Sequence, residues 1–228
     1  MRNLLPSISI ALVLLLFVSC SSEMDEVTLP DPEGTLLFPI DTGLTRIYAV
    51  DSIYWDDFTG THDTLNYLIR EKIADTFNDL QGRPTQRIER FREVPGDGWI
   101  IDRVWTTNRT NTTAERTEDN LRFIKLVFPT REGVTWNGNS LNTLPAENYR
   151  ITKTGSDTAA GMTFSTTATV LQGDSVGNRI TRQYGLEKYA QGPGLTYRRN
   201  VSLTYNFPLT TVRSGYIYTE TLIDYEPR

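Results

Sequence analysis

From residue 46 to residue 225 the chain repeats one device, an alternating run rich in Thr, Tyr, Val, Ile and Phe that ends at Gly, Pro, Asn or Asp. In 46–54 (RIYAVDSIY), Ile47, Ala49 and Ile53 fall on one face of a two-residue period and Tyr48, Val50 and Tyr54 on the other. In 64–74, Leu65, Tyr67, Ile69 and Ile73 align. Comparable runs occupy 85–92, 99–106, 121–128, 149–154, 163–172, 179–190, 195–206 and 216–225. Strand side chains point alternately to opposite faces, and β-branched and aromatic residues suit such a pleated surface. The breakers between runs, Gln81-Gly82-Arg83-Pro84, Pro95-Gly96-Asp97-Gly98, Gly173-Asp174 and Gly192-Pro193-Gly194, supply the reversals. No segment shows a sustained helical stripe; 71–80 alone leaves a short helix open. The expected fold is all-β, about ten mainly antiparallel strands in a single domain over 34–228. Aromatic residues on both faces call for cover on both sides, met by a curved sheet or half-barrel, or by a two-layer sandwich.

The N-terminus reads differently. Arg2 precedes an apolar run over 8–18, too short to span a membrane and typical of a secretory signal over 1–19. Phe17-Val18-Ser19-Cys20 resembles the lipobox of bacterial lipoproteins, with Phe17 where Leu is usual. The resemblance implies cleavage before Cys20 and a diacylglyceryl group with palmitate-type chains on its sulfur. Several chains at about 0.8 kcal/mol per buried methylene make such an anchor permanent. Residues 20–33 then form a flexible acidic tether. Its Glu23, Asp25 and Glu26 resemble the surface-export signal of Bacteroidota lipoproteins. The expected location is the outer membrane, lipid-anchored, on the periplasmic face or the cell surface, with the membrane as partner.

Cys20 is the single cysteine, so no intrachain disulfide forms and no thiol remains for catalysis once it is acylated. A formal charge of −5 gives no footprint for nucleic acid.

Candidate chemistry is sparse. Trp136, Asn137 and Asn139 flank an Asn-Gly pair, which builds a tight turn or offers amides and an indole to a sugar. Tyr189 and Tyr197 flank the Gly192-Pro193-Gly194 reversal and join these three as a candidate binding loop. The sole histidine, His62, lies beside Asp63, but no nucleophile motif accompanies it, and one histidine without cysteines does not make a zinc site. No catalytic residue, metal or cofactor is assigned. The run 87–93 (RIERFRE) reads as a solvated face with cross-strand ion pairs. Thr158 and Ser175 follow aspartates in turn-like contexts that resemble the O-glycosylation acceptor of Bacteroidota.

Three blocks resemble a family of Bacteroidota outer-membrane lipoproteins of unknown function. They are Phe38-Pro39 with Gly43 and Arg46-Ile47-Tyr48, then LVFPTREGVTWNGNSLN over 126–142, then EKYAQGPGLTYR over 187–198. The resemblance implies an envelope location and a β fold and brings no chemistry. The functional expectation is a non-catalytic envelope module that binds an apolar or glycan ligand or a partner protein. The alternatives are a structural subunit of an outer-membrane assembly and, third, a hydrolase built on a carboxylate pair.

Overall fold

Twelve strands are present in a computed structural model that describes residues 33–174, 180–208 and 211–226. The signal, Cys20 and the tether up to residue 32 lie outside the described residues, as does Ser175. The strands are β1 (Thr45–Trp55), β2 (His62–Asn78), β3 (Pro84–Val94), β4 (Gly98–Arg109), β5 (Thr113–Glu118) and β6 (Leu121–Val127). They continue as β7 (Thr135–Asn137), β8 (Asn148–Ala159), β9 (Met162–Asp174), β10 (Thr181–Ala190), β11 (Gly194–Tyr205) and β12 (Val212–Glu226). The only helical element described is a 3₁₀ turn over Thr35–Leu37.

All twelve belong to one sheet ordered β6-β5-β4-β3-β2-β1-β12-β11-β10-β9-β8-β7, and every adjacent pair is antiparallel. Its two edges come back together. The Ile124 amide donates to the Gly138 carbonyl at 3.0 Å, the Trp136 indole donates to the Ile124 carbonyl at 2.8 Å, and Asn142 donates to the Arg122 carbonyl at 2.9 Å. The sheet is therefore a nearly closed barrel, which sets the sandwich aside and removes most of its exposed edge. The two strands beyond the expected ten are β5, whose TAERTE has almost no apolar pattern, and β7, only three residues long. The stretch 71–80 is not a helix: β2 runs on to Asn78 and pairs with β3.

Strand number dictates what fills the barrel. About eight strands leave an interior that ordinary side chains fill, whereas 16–18 leave a water channel. Twelve fall between, so long side chains must reach across. They do, and they are charged. β1 turns Arg46, Tyr48 and Val50 inward, all 1% exposed or less, and leaves Ile47 and Ala49 half-buried on the outside. In β3, Ile88 and Arg90 point inward while Arg87 and Glu89 pair outside, Arg87 also reaching Asp75 of β2 at 2.9 Å. The solvated-face expectation for 87–93 thus holds for alternate residues and fails for Arg90.

One end of the barrel is closed by apolar packing. Leu37 and Phe38 insert among Ala114, Leu126, Phe128, Tyr149, Ile151, Val170, Tyr189 and Leu195, and the Phe38 and Tyr189 rings lie 5.9 Å apart. Arg109 pins this plug by donating to the carbonyls of Thr35 and Phe38 at 3.0 and 3.1 Å. The three blocks singled out in the sequence converge here. Arg46 donates through Nε to the Pro193 carbonyl, a Cβ on Gly194 would meet Pro39 at 2.9 Å, and Leu126 and Phe128 pack on the plug. Their shared role is to close the barrel floor.

Candidate site: a charged floor beneath an open barrel mouth

The strand register builds the floor. Arg46, Glu71 and Arg90 are direct cross-strand neighbours on β1, β2 and β3. Glu187, Arg198 and Glu220 are direct neighbours on β10, β11 and β12. Each row alternates in sign, the arrangement that directly opposed residues favour. Arg46 reaches Glu71 at 2.8 Å; Arg90 reaches Glu71 and Glu220, both at 2.6 Å; Arg198 reaches Glu187 at 2.8 Å. Two further strands tie the rows across the lumen: Arg198 meets Glu118 of β5 at 2.8 Å, and Lys125 of β6 meets Glu118 and Glu187, both at 3.1 Å. Gln172 and the Tyr189 hydroxyl donate to the remaining Glu187 oxygen, each at 2.5 Å. Trp105 lies between two of the cations, with Arg90 4.2 Å and Arg198 5.6 Å from its ring centroid.

Burying so many charges is tolerable only because each has an opposite charge beside it, although the Nε atoms of Arg90 and Arg116 are buried without a hydrogen-bond partner. The titration shifts record the balance. Burial pushes the Glu71 carboxyl up, but Arg116, Arg90, Arg46 and Arg198 outweigh it and bring it down to about 2. Glu118 and Glu187 are likewise driven up by burial and down, on balance, by Arg198 and Lys125. Burial would lower Arg90, yet Glu220 and Glu71 raise it well above the arginine range. Burial also raises the phenols of Tyr48 and Tyr189, with neighbouring glutamates adding to it.

Above this floor the lumen opens. One cavity, about 340 Å³, is bordered by Ser52, Tyr67, Asp102, Arg103, Trp105, Asp119 and Tyr218; another, about 250 Å³, by Phe123, Lys125, Glu147, Tyr149, Gln172 and Tyr184. They share Glu118, Arg198, Asn200 and Tyr216, so they adjoin across these side chains as two lobes of the lumen. Glu147, half-buried at the second lobe, shifts in the opposite direction from Glu71, Glu118 and Glu187: burial raises it, and Lys125 offsets this only in part.

No protein-family model and no curated protein matches the chain. Two solved structures are similar in shape. One is a candidate exported protein with a YmcC-like fold from Bacteroides fragilis, 9% identical, over 83% of this chain and 98% of that one, TM-score 0.44. The other is a candidate lipoprotein from Parabacteroides distasonis, 12% identical, over the same shares, TM-score 0.42.

The residues named from sequence are not gathered at the mouth. Asn137 accepts from the amides of Asn139 and Glu147, both at 3.0 Å, and Asn139 is 5% exposed and donates to the Pro145 carbonyl at 2.7 Å. With the Trp136 indole on Ile124, these side chains build the β7–β8 turn and seal the edge-to-edge seam. Tyr189 is buried in the floor and Tyr197 is half-buried, with the Lys188 ammonium 5.9 Å from its ring. Thr158 is exposed near the end of β8, its hydroxyl 3.3 Å from that of Thr163. His62 stacks on Trp55 at 6.0 Å in the open, and among the described residues no three His, Asp or Glu side chains converge on a metal position. Sequence reasoning missed the floor. The available signal was the ion-forming residues at inward positions of otherwise apolar runs, Glu71, Arg90, Glu187, Arg198 and Glu220.

The seam offers a packing test. A Cβ on Gly138 would overlap the Tyr149 ring, with Cδ2 only 2.7 Å away and the ring itself buried. Gly138→Ala is expected to cost about 1–3 kcal/mol as an overpacked site, read as a lower urea midpoint at unchanged m-value.

Proposed function

We propose that this chain is a lipid-anchored envelope protein that takes a polar ligand into the open end of its barrel and performs no chemistry on it. The observation that carries the reading is the two-lobed space over a fully paired ionic floor. A concave site whose polar groups converge from several strands is the usual form of a small-ligand site. The paired floor also disfavours the apolar-ligand form: greasy groups in contact with Arg90, Arg198 and Glu118 would strip these charges of water without replacing it. The carboxylates lean towards binding rather than hydrolysis, since Glu118 and Glu187 are each bound to Lys125 and Arg198 and held ionised. Cys20 in its lipobox-like context supports the anchor. Native mass spectrometry of the full-length protein extracted from its own host tests the reading. A bound polar small molecule that is lost from an Asn200→Trp variant, whose added bulk fills the space shared by the lobes, is the expected result. Equal occupancy in both proteins would place the ligand elsewhere and end the proposal.

A further inference from the structure

The site's charges and its neutral groups are in opposite states of satisfaction. At the mouth lobe the cations Arg90, Arg103 and Arg198 face the acids Asp102, Glu118 and Asp119, three against three. Every one of these cations already holds a carboxylate: Arg90 has Glu71 and Glu220, Arg103 has Asp119 at 2.5 Å, and Arg198 has Glu118 and Glu187. An anionic ligand would have to displace a partner that is bonded at 2.5–2.8 Å, and a cationic ligand would meet the same barrier at Glu118 and Asp119, while Asp102 holds Arg103 only at 3.5 Å. Among the uncharged groups, Tyr218 donates to Glu220 at 3.2 Å and Trp105 to Asp119 at 3.3 Å, and the other polar ones are free. The side chains of Ser52, Tyr67, Asn200 and Tyr216 all border this lobe, and none of them hydrogen-bonds to any described residue.

The register also groups them. Asn200, Tyr218 and Ser52 are successive cross-strand neighbours on β11, β12 and β1; Tyr216 lies two residues from Tyr218 on the same face; and Tyr67 on β2 is opposite Val50, diagonal to Ser52. One arc of wall thus presents an amide, a hydroxyl and phenols, which together donate and accept, along with aromatic faces. Tyr67 is held in place by Arg92, 4.1 Å from its ring centroid, and Tyr216 remains 42% exposed. Hydroxyl groups alternating with C–H faces on an uncharged molecule are the complement of such a wall.

Resting on the cavity reading above, we infer that the ligand is a neutral saccharide, recognised by Asn200, Tyr216, Ser52 and Tyr67, while the ionic floor supplies rigidity and excludes charged competitors. The test uses full-length lipidated protein in a sugar-free amine-oxide detergent and saturation-transfer NMR. The probes are neutral maltotriose, mannotriose and diacetylchitobiose, with trigalacturonate and inorganic phosphate as anionic members. Asn200→Ala and Tyr216→Phe leave every floor residue in place and are expected to fold. The expected result is saturation of at least one neutral probe, insensitive to high salt, with affinity at least tenfold weaker in both variants. Binding only of trigalacturonate or phosphate, weakened by salt and by both variants, would overturn the neutral-ligand inference and keep the cavity as a binding site. Saturation of no probe would overturn the neutral-saccharide inference, while the cavity reading stands or falls on the native mass spectrometry of the host-extracted protein. A neutral probe bound equally by wild type and both variants would reject the assigned wall.

Discussion

Replacing Arg198 with methionine is expected to destabilise the barrel by about 3–5 kcal/mol, the range for removing one partner of a buried ion pair. Methionine fills much of the same length, so lost volume is not the cause. What remains is the problem: Glu187, Glu118 and Glu220 converge on the vacated position, with Arg198 now bonded to the first two at 2.8 Å and 4.0 Å from the third. Lys125 and Arg90 still serve them, but Lys125 reaches Glu118 and Glu187 only at 3.1 Å and nothing else spans all three. Arg198→Lys keeps the charge and loses the planar fork, so a smaller loss of roughly 1–2 kcal/mol is expected. Adding Glu187→Gln to Arg198→Met should recover at least about 1 kcal/mol, because it removes one stranded carboxylate. Urea denaturation of the full-length protein measures all three. A methionine variant within about 0.5 kcal/mol of wild type would mean that the glutamates do not depend on Arg198.

The same residue shows what the sequence disclosed and what it concealed. The alternation in LTYRRNVSLTY announces a strand, and β11 follows it from Gly194 to Tyr205. Alternation separates two faces but does not say which face is inside. Adjacent Arg198 and Arg199 are indistinguishable by composition, yet one is 4% exposed in the lumen and the other sits on the outer wall. The customary assumption that the apolar face is buried points the wrong way for β1, where Ile47 and Ala49 face outward and Arg46 and Tyr48 inward. That inversion depends on barrel width, which depends on strand number, which in turn depends on β5 and β7, the two strands least visible in the sequence. Arg116 and Glu118 look like solvent residues in TAERTE because their partners, Glu71 and Arg198, lie 45 and 80 positions away. The turn at Trp136–Asn139 was legible for a local reason: its hydrogen bonds run mostly to backbone within about ten residues. The floor was not, because ion pairing across a lumen leaves no mark at short spacing.

Acid should unfold this barrel over a window set by its own glutamates. Glu71 falls from an ordinary 4.5 to about 2 in the folded chain, and Glu118 and Glu187 are lowered as well. A carboxyl with a lower pKa in the fold than in the unfolded chain binds fewer protons when folded. The stability it lends is complete above the unfolded value and drains as pH drops towards the folded one. For Glu71 alone the loss is about 3 kcal/mol between pH 5 and pH 2, at 1.36 kcal/mol per pH unit of displacement. Glu118 and Glu187 share Arg198 and Lys125, so they lose support as a group and sharpen the transition. Glu147 runs the other way, since its raised pKa makes it easier to protonate in the fold, but its half-exposed position keeps the opposition small. The expected melting profile is therefore level from about pH 8 to pH 5 and falls steeply below it. Glu71→Gln should start lower at neutral pH, because Arg46, Arg90 and Arg116 lose their common carboxylate, and should fall less on acidification. A wild-type melting temperature that stays level down to pH 2 would mean that the interior glutamates titrate alike in the folded and unfolded chain, and the floor of paired charges would have to be redrawn.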